Sequence, residues 1–254
     1  VYRSAGILLN KFSPNEDYSE PQKMTVEWRC QSCGFIGNEV GSTFDDHCSE
    51  CGANIDQDHI KEYIEPIGFA VDFYSSPSTD ISSQMYIPVQ EPWVTANESL
   101  EALFDSRLGS YRNSSQGHIF NHSSGEFGNG FSVCLRCGKA ESMSIDNEFP
   151  VDVQPGKPHK KLQGKSGPES NAWCEGPDEA YAIKSNVHLG ATDQTDVFEL
   201  YLKYPNENSY MRHRQGEPLP WTLAVVLRQA LADIHGINAD EIGYTVKPSM
   251  LPDC

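Results

Sequence analysis

The feature that most narrows what this chain can fold into lies between Trp28 and Gly52. Cys30-Gln31-Ser32-Cys33-Gly34 is followed, fourteen residues beyond Cys33, by Cys48-Ser49-Glu50-Cys51-Gly52. Two Cys-x2-Cys hooks are what a tetrahedral Zn²⁺ asks of a polypeptide, because each hook turns two thiolates to one side of the metal at roughly 2.3 Å. The trailing glycine lets the backbone turn at the knuckle with a positive φ. Two disulfides are the competing arrangement, but no secretory signal precedes the pairs, and paired hooks of this spacing read as metal ligands. A redox dithiol would need one hook, not two matched ones. Four thiolates leave no open coordination position, so the centre reads as structural.

A third hook, Cys134-Leu135-Arg136-Cys137-Gly138, follows the strand-like run Gly130-Phe131-Ser132-Val133. It has no matching pair. Cys174 supplies a third thiolate, and the fourth ligand is then His159 or His188 or a group the spacing does not reveal. Cys3His is ordinary zinc chemistry, and His159 lies inside the loop that Cys134, Cys137 and Cys174 would close. The alternative is a pair of reduced knuckle cysteines packed in the core, with Cys174 unrelated.

Around these hooks the chain reads as α+β. Thr25, Val26 and Trp28 lead into the first knuckle as a strand does in a zinc ribbon, and Phe35, Ile36, Thr43 and Phe44 are placed to cover the metal with apolar side chains. The apolar run Ala5 to Leu9 is either a buried strand entering the zinc module or the end of an element whose beginning was cut away, and Gly68 to Phe73 reads as a strand. Leu100, Leu103 and Phe104 fall at helical spacing after Asn97, which predicts a short helix over 97–104 capped by that asparagine. Asp196 to Leu202 predicts a half-buried strand with Phe198, Leu200 and Leu202 on its apolar face and Glu199 opposite. From Pro220, the positions Leu223, Val226, Leu227, Ala230, Leu231 and Ile234 follow the i, i+3, i+4 repeat of an amphipathic helix, with Gly236 suited to its C-cap. Ile242, Tyr244 and Val246 alternate as a further strand.

Composition bounds the function. At 254 residues the chain holds one or two cored domains, and aromatics at 10% are too many for a disordered tail. A net charge of −17 opposes any grip on nucleic acid along the whole surface, since phosphate binding depends on Lys and Arg displacing counterions. Lys157, His159, Lys160, Lys161 and Lys165 form one basic cluster, in a stretch of loop composition. Nothing approaches the length of a membrane span, and a chain that opens at Val1 rather than methionine is what an excised fragment would show. Eight cysteines without a signal peptide place it in a reducing cytoplasm. No G-x-x-x-x-G-K-[ST], G-x-S-x-G or H-E-x-x-H occurs, and a deaminase reading of Cys134 and Cys137 lacks its His-x-Glu. These residues assemble no enzyme.

Taken in order, the motifs form a larger pattern. It comprises the Trp-x-Cys-x2-Cys-Gly ribbon, Pro66-Ile67-Gly68-Phe69-Ala70-x-Asp72, Gly130-Phe131-x2-Cys134-x2-Cys137-Gly138, Cys174-x-Gly176, Thr195-Asp196-Val197 and the Trp221-to-Ile237 helix. This resembles the C-terminal region of bacterial superfamily 2 DEAD/DEAH-box helicases that carry the MrfA-like zinc-binding domain. That domain is found also in anti-phage defence systems such as DISARM and Druantia. The resemblance implies a zinc-ribbon module over 1–63 and an MrfA-like domain over 64–254, truncated before the family's Gly-Gly-x-Gly segment and compact cysteine cluster. The metal ligands expected from the spacing are Cys30, Cys33, Cys48 and Cys51 for one centre and Cys134, Cys137, Cys174 and His159 for the other. The implied partners are the parent's motor domains, single-stranded DNA and other defence subunits, with ATP and magnesium confined to those absent motor domains.

Overall fold

Alternation of aromatic and β-branched residues with polar ones makes the first hooks part of a sheet. In the computed structural model, which describes residues 4–8, 24–40, 44–71, 90–160, 173–174, 182–207, 209–211 and 218–247, β2 (Thr25–Arg29) pairs antiparallel with β3 (Ile36–Val40) and with β4 (Ile60–Ile64). β4 then pairs in parallel with β13 (Ile183–Leu202), through His188 beside Tyr63. Strand β13 is the spine of the sheet. Its first turn of residues pairs with β9 (Phe131–Cys134), which continues to β10 (Ala140–Ser142). From Leu189 onward it pairs with the long β8 (Gly109–Ser123), which also carries β6 (Trp93–Thr95) and β7 (Glu101–Ala102). Outside this nine-stranded sheet, β1 (Ser4–Leu8) pairs with β5 (Gly68–Val71), and β11 (His159–Lys160) pairs with β12 (Trp173–Cys174). The fold is mixed, with one α-helix among the described residues, α1 (Pro218–His235). The position between 63 and 64 falls within β4, whose residues pair with β2 on one side and β13 on the other.

The sheet curls. Its free edge at β3 is met by Asn97, just after β6, which accepts from Ile36 N–H at 3.5 Å and donates to Ile36 O at 3.2 Å. One face of β2, Val26 and Trp28, packs with Cys30, Cys48 and Ile55. The other face turns into the curl, where Ile36, Tyr63, Trp93 and Phe120 form a second cluster. Gly190 lies where any Cβ would stand 2.5 Å from the Phe120 ring, so glycine there is what lets β13 pass the aromatic core.

Several expectations need correction. Residues 97–104 are not helical. Asn97 sits in the left-handed region (φ 51°) with its side chain spent on β3, and β7 follows directly. The strand phase at 196–202 is inverted: Phe198 is 56% exposed, stacked on Tyr111, while Glu199 is 8% exposed. Its carboxylate is fully engaged, accepting from Ala96 N–H (2.7 Å), Tyr201 O–H (2.7 Å) and Lys247 (2.9 Å). The partners offset the burial of the charge, and Lys247 with these hydrogen bonds holds Glu199 below the usual carboxylate range despite burial. Ile242 to Val246 form no strand; after a 3₁₀ turn at Ala239–Glu241, Tyr244 packs against Trp221 and under Arg228 on the helix. Helix α1 ends at Gly236 (φ 67°) as read, yet only Ala232 is buried, so the apolar stripe lies open among the described residues. Of the apolar shell, Phe35 and Phe44 do flank Trp28, but Ile36 points into the curl; Thr43 lies outside the described residues.

Candidate metal centres

All three hooks fold into one local shape. In each, the first cysteine's N–H donates to the carbonyl five residues on: Phe35 O (2.9 Å), Ala53 O (2.9 Å) and Lys139 O (2.9 Å). The trailing glycine N–H donates back to the first cysteine's carbonyl at 3.0, 2.9 and 2.8 Å. Gly34, Gly52 and Gly138 all adopt positive φ (77°, 71° and 75°), which a Cβ would penalise. This repeated knuckle leaves both sulfurs on one side and aims backbone N–H groups at them.

The first centre joins two such knuckles. Cys30 Sγ lies 3.6 Å from Cys51 Sγ, Cys33 Sγ lies 3.6 Å from Cys48 Sγ, and all four sulfurs fall within 4.8 Å of one another. The second centre is built differently. Cys134 and Cys137 come from a knuckle on the end of β9, whereas His159 and Cys174 stand directly opposite each other across the β11–β12 ladder. Such cross-strand neighbours share a face of the sheet, which is what brings an imidazole and a thiol to one point. Cys134 Sγ is 3.9 Å from Cys174 Sγ and Cys137 Sγ is 3.3 Å from His159 Nε2, and this donor set also lies within 4.8 Å. His159 Nδ1 is 3.3 Å from Lys157 O, a contact in which Nδ1–H donates and Nε2 keeps its lone pair for a metal. His188, the other candidate, is elsewhere, with Nδ1 2.9 Å from Ser124 Oγ.

The two donor sets fit a soft, tetrahedral dication such as zinc. Burial pushes the Cys33 and Cys48 thiols up, whereas the Ala53 N–H draws exposed Cys51 down. In the second set, the hydrogen bond between the two sulfurs lowers Cys137 to about 5, aided by Lys139 N–H and His159, and raises Cys134. Within each cluster one thiol is thus eased toward ionisation while others are opposed, and a divalent cation would supply the field that brings every thiol to thiolate. With all four positions taken by the chain, either centre would be closed to substrate.

The remaining sequence candidates fall apart in space. Lys157 donates to Val151 O at 2.6 Å and Lys160 is exposed on β11, while Lys161 and Lys165 lie outside the described residues. Outside the two centres, Trp93 is 6% exposed and belongs to the core, whereas Trp173, beside the ligand Cys174, is 57% exposed. What the sequence did not disclose is the interior of the curl, where Glu27, wholly buried, meets His118 and accepts from Asn38 at 2.7 Å. Period-two alternation in β2 and β4 was the available signal, masked by the polar identity of the inward residues. Among the described residues no helix is long and apolar enough to cross a membrane.

No family model, curated protein or solved structure matches this chain.

Proposed function

We propose that this chain is a zinc-stabilised accessory module of an ATP-dependent DNA helicase or translocase that acts in anti-phage defence or DNA repair. It assists DNA engagement or docks the motor lobes, in the cytoplasm. The observation that carries the reading is the pair of closed donor sets, Cys30, Cys33, Cys48 and Cys51 with Cys134, Cys137, His159 and Cys174. Eight ligands devoted to shape and no nucleotide motif fit a part that serves a separate motor. The order of motifs from the Trp28 ribbon to the α1 helix supplies the helicase resemblance, with the zinc ribbon at 1–63 and the MrfA-like domain at 64–254.

A second reading, a scaffold subunit of a phage-defence complex without DNA contact, is favoured by the open stripe of α1. Leu219, Val226 and Ile234 are 61%, 59% and 78% exposed there, and the −17 charge resists DNA. The two readings part in one titration. Fluorescence anisotropy of a labelled single-stranded oligonucleotide, repeated from low to high salt, is expected to give binding whose log K falls linearly with log salt. Absence of binding at low salt supports the scaffold, and ATP hydrolysis by the isolated chain overturns both.

A further inference from the structure

In a chain this acidic, one end of the curled sheet gathers basic groups with few partners. Arg29 lies one step past the Trp28–Ile60 pair, alongside His59, and Lys61 is the next inward residue of β4. From the adjoining strands of the same sheet come His188 of β13, beside Tyr63 of β4, and His122 of β8, whose rings are 6.4 Å apart. Trp93 of β6, which pairs with β8, links His122 to Arg29: the Arg29 guanidinium sits 4.9 Å over its ring, and His122 meets it edge-on at 5.4 Å. His122 is 5% exposed and its Nδ1 has no hydrogen-bond partner. Arg29 Nε and His59 Nδ1 are likewise buried and unpartnered.

An unpaired buried polar atom is costly, roughly 1–3 kcal/mol and more when charged. Arg29 Nε can only donate and a histidine Nδ1 donates in one of its tautomers, so these three unpaired nitrogens, from elements far apart in sequence, can together face one acceptor. The carboxylates facing the cluster are Glu91 toward Arg29, with Asp56 and Asp58 toward His59 and Lys61. All three are exposed at the rim, and among the described residues none forms an ion pair with Arg29 or Lys61.

We propose that this end of the curl is a binding site for a phosphate group, held by the Arg29 guanidinium and Lys61 ammonium with His59 and His122 as hydrogen-bonding partners. Guanidinium and ammonium groups supply charge-assisted hydrogen bonds to the phosphate oxygens. The mouths of curled and barrel-like sheets are common positions for ligand sites. The site is distinct from both metal centres and does not depend on the helicase reading, because a free phosphate or a phosphodiester presents the same oxygens. Burial, with Lys61 and Arg29 near, holds His122 neutral down to about 4, and burial with Lys61 and His122 holds His188 neutral to about 3. Burial also lowers Lys61 and Arg29 from their usual values, a cost to their charged forms that a bound anion would offset.

The test uses the metal-loaded chain and inorganic phosphate. Phosphate is expected to raise the thermal midpoint above that in sodium chloride of equal ionic strength, and to broaden or shift its phosphorus NMR signal saturably. Lys61→Gln, whose zinc content and midpoint in chloride should match the parent, is expected to weaken phosphate binding roughly tenfold, the worth of one strong charged hydrogen bond. His59→Gln serves as a second, milder variant. A single-stranded oligonucleotide that displaces phosphate, and binds less tightly to Lys61→Gln, identifies a phosphodiester as the source. Phosphate binding without such competition identifies a small phosphorylated molecule. Equal midpoints in phosphate and chloride, or binding unchanged in Lys61→Gln, overturns the proposal.

Discussion

The two cysteine centres have nearly the same donors and opposite construction. The first draws its ligands from residues 30 to 51, two knuckles that face each other across a short excursion of chain, and leaves Cys51 exposed. The second spans residues 134 to 174, has one knuckle, and obtains its other two ligands from a two-residue ladder; Cys134, His159 and Cys174 are all buried. A centre made of local motifs carries its geometry in its spacing, while a centre made of cross-strand neighbours inherits geometry from the sheet around it. The first should therefore survive damage beyond the β2–β3 hairpin that carries it, whereas the second should fail when either the end of β9 or the β11–β12 ladder is disturbed.

Metal removal is the largest test of that difference. Structural zinc contributes apparent binding free energies of about 10–16 kcal/mol in small modules, so a strong chelator is expected to abolish cooperative thermal unfolding. Elemental analysis should find about two zinc per chain, with Cys48→Ser and Cys134→Ser each losing one. The comparison breaks if either variant loses both or neither.

Next in size is core truncation beside each centre. Trp28→Ala removes a side chain 1% exposed that packs between Phe35 and Phe44, and is expected to cost about 3–5 kcal/mol in urea unfolding. Val153→Ala, in the cluster with Cys134, Cys174 and Ile183, should cost roughly 1–3 kcal/mol. Despite the smaller cost, it is the variant expected to speed zinc transfer to a colorimetric chelator at the second centre alone.

Acid sharpens the comparison further. His122 and His188 are neutral in the fold down to about 4 and about 3, the result of burial and nearby Lys61. The unfolded chain protonates them near 6.5. It then binds more protons than the native state, so stability falls as pH drops from about 6.5 toward 4, by up to roughly 3 kcal/mol per histidine. His188 lies on β13 next to Val187, which pairs with Phe131 of β9. Zinc release followed between pH 7 and 4 should therefore begin at the second centre, and simultaneous release would remove the distinction.

The smallest effect concerns the knuckle itself. At Gly34 a Cβ would meet nothing within 4 Å, so Gly34→Ala pays only for its positive φ, about 1–2 kcal/mol. Gly37→Ala should cost more, because its Cβ would stand 2.2 Å from the Trp28 ring. A midpoint series of the two variants checks that order.

The same contrast explains what was legible in the sequence. Knuckles are contiguous, so Cys30, Cys33, Cys48, Cys51, Cys134 and Cys137 come together in the fold as their spacing suggested. The choice between His159 and His188 was not legible, because it depends on the register of β11 against β12. Strand phase failed at Glu199 for a related reason: a carboxylate turns inward when Ala96, Tyr201 and Lys247 meet it, and none of these is a sequence neighbour on a predictable face except Tyr201. The helix at 97–104 failed because Asn97 is committed to Ile36, sixty-one positions away. The α1 helix was legible in its ends and period, which are local, but not in what its apolar side would meet.

The parallel pairing of β4 with β13 also sets a timetable for synthesis. When β4 leaves the ribosome both knuckles of the first centre are already complete, whereas its partner around His188 is still about 120 residues away, roughly 6–25 s at ordinary elongation rates. During that interval the nascent chain can take up its first metal ion but has an unpaired sheet edge at β4. Chaperones that shield such edges would have their longest opportunity there, and the arrival of β13 ends it.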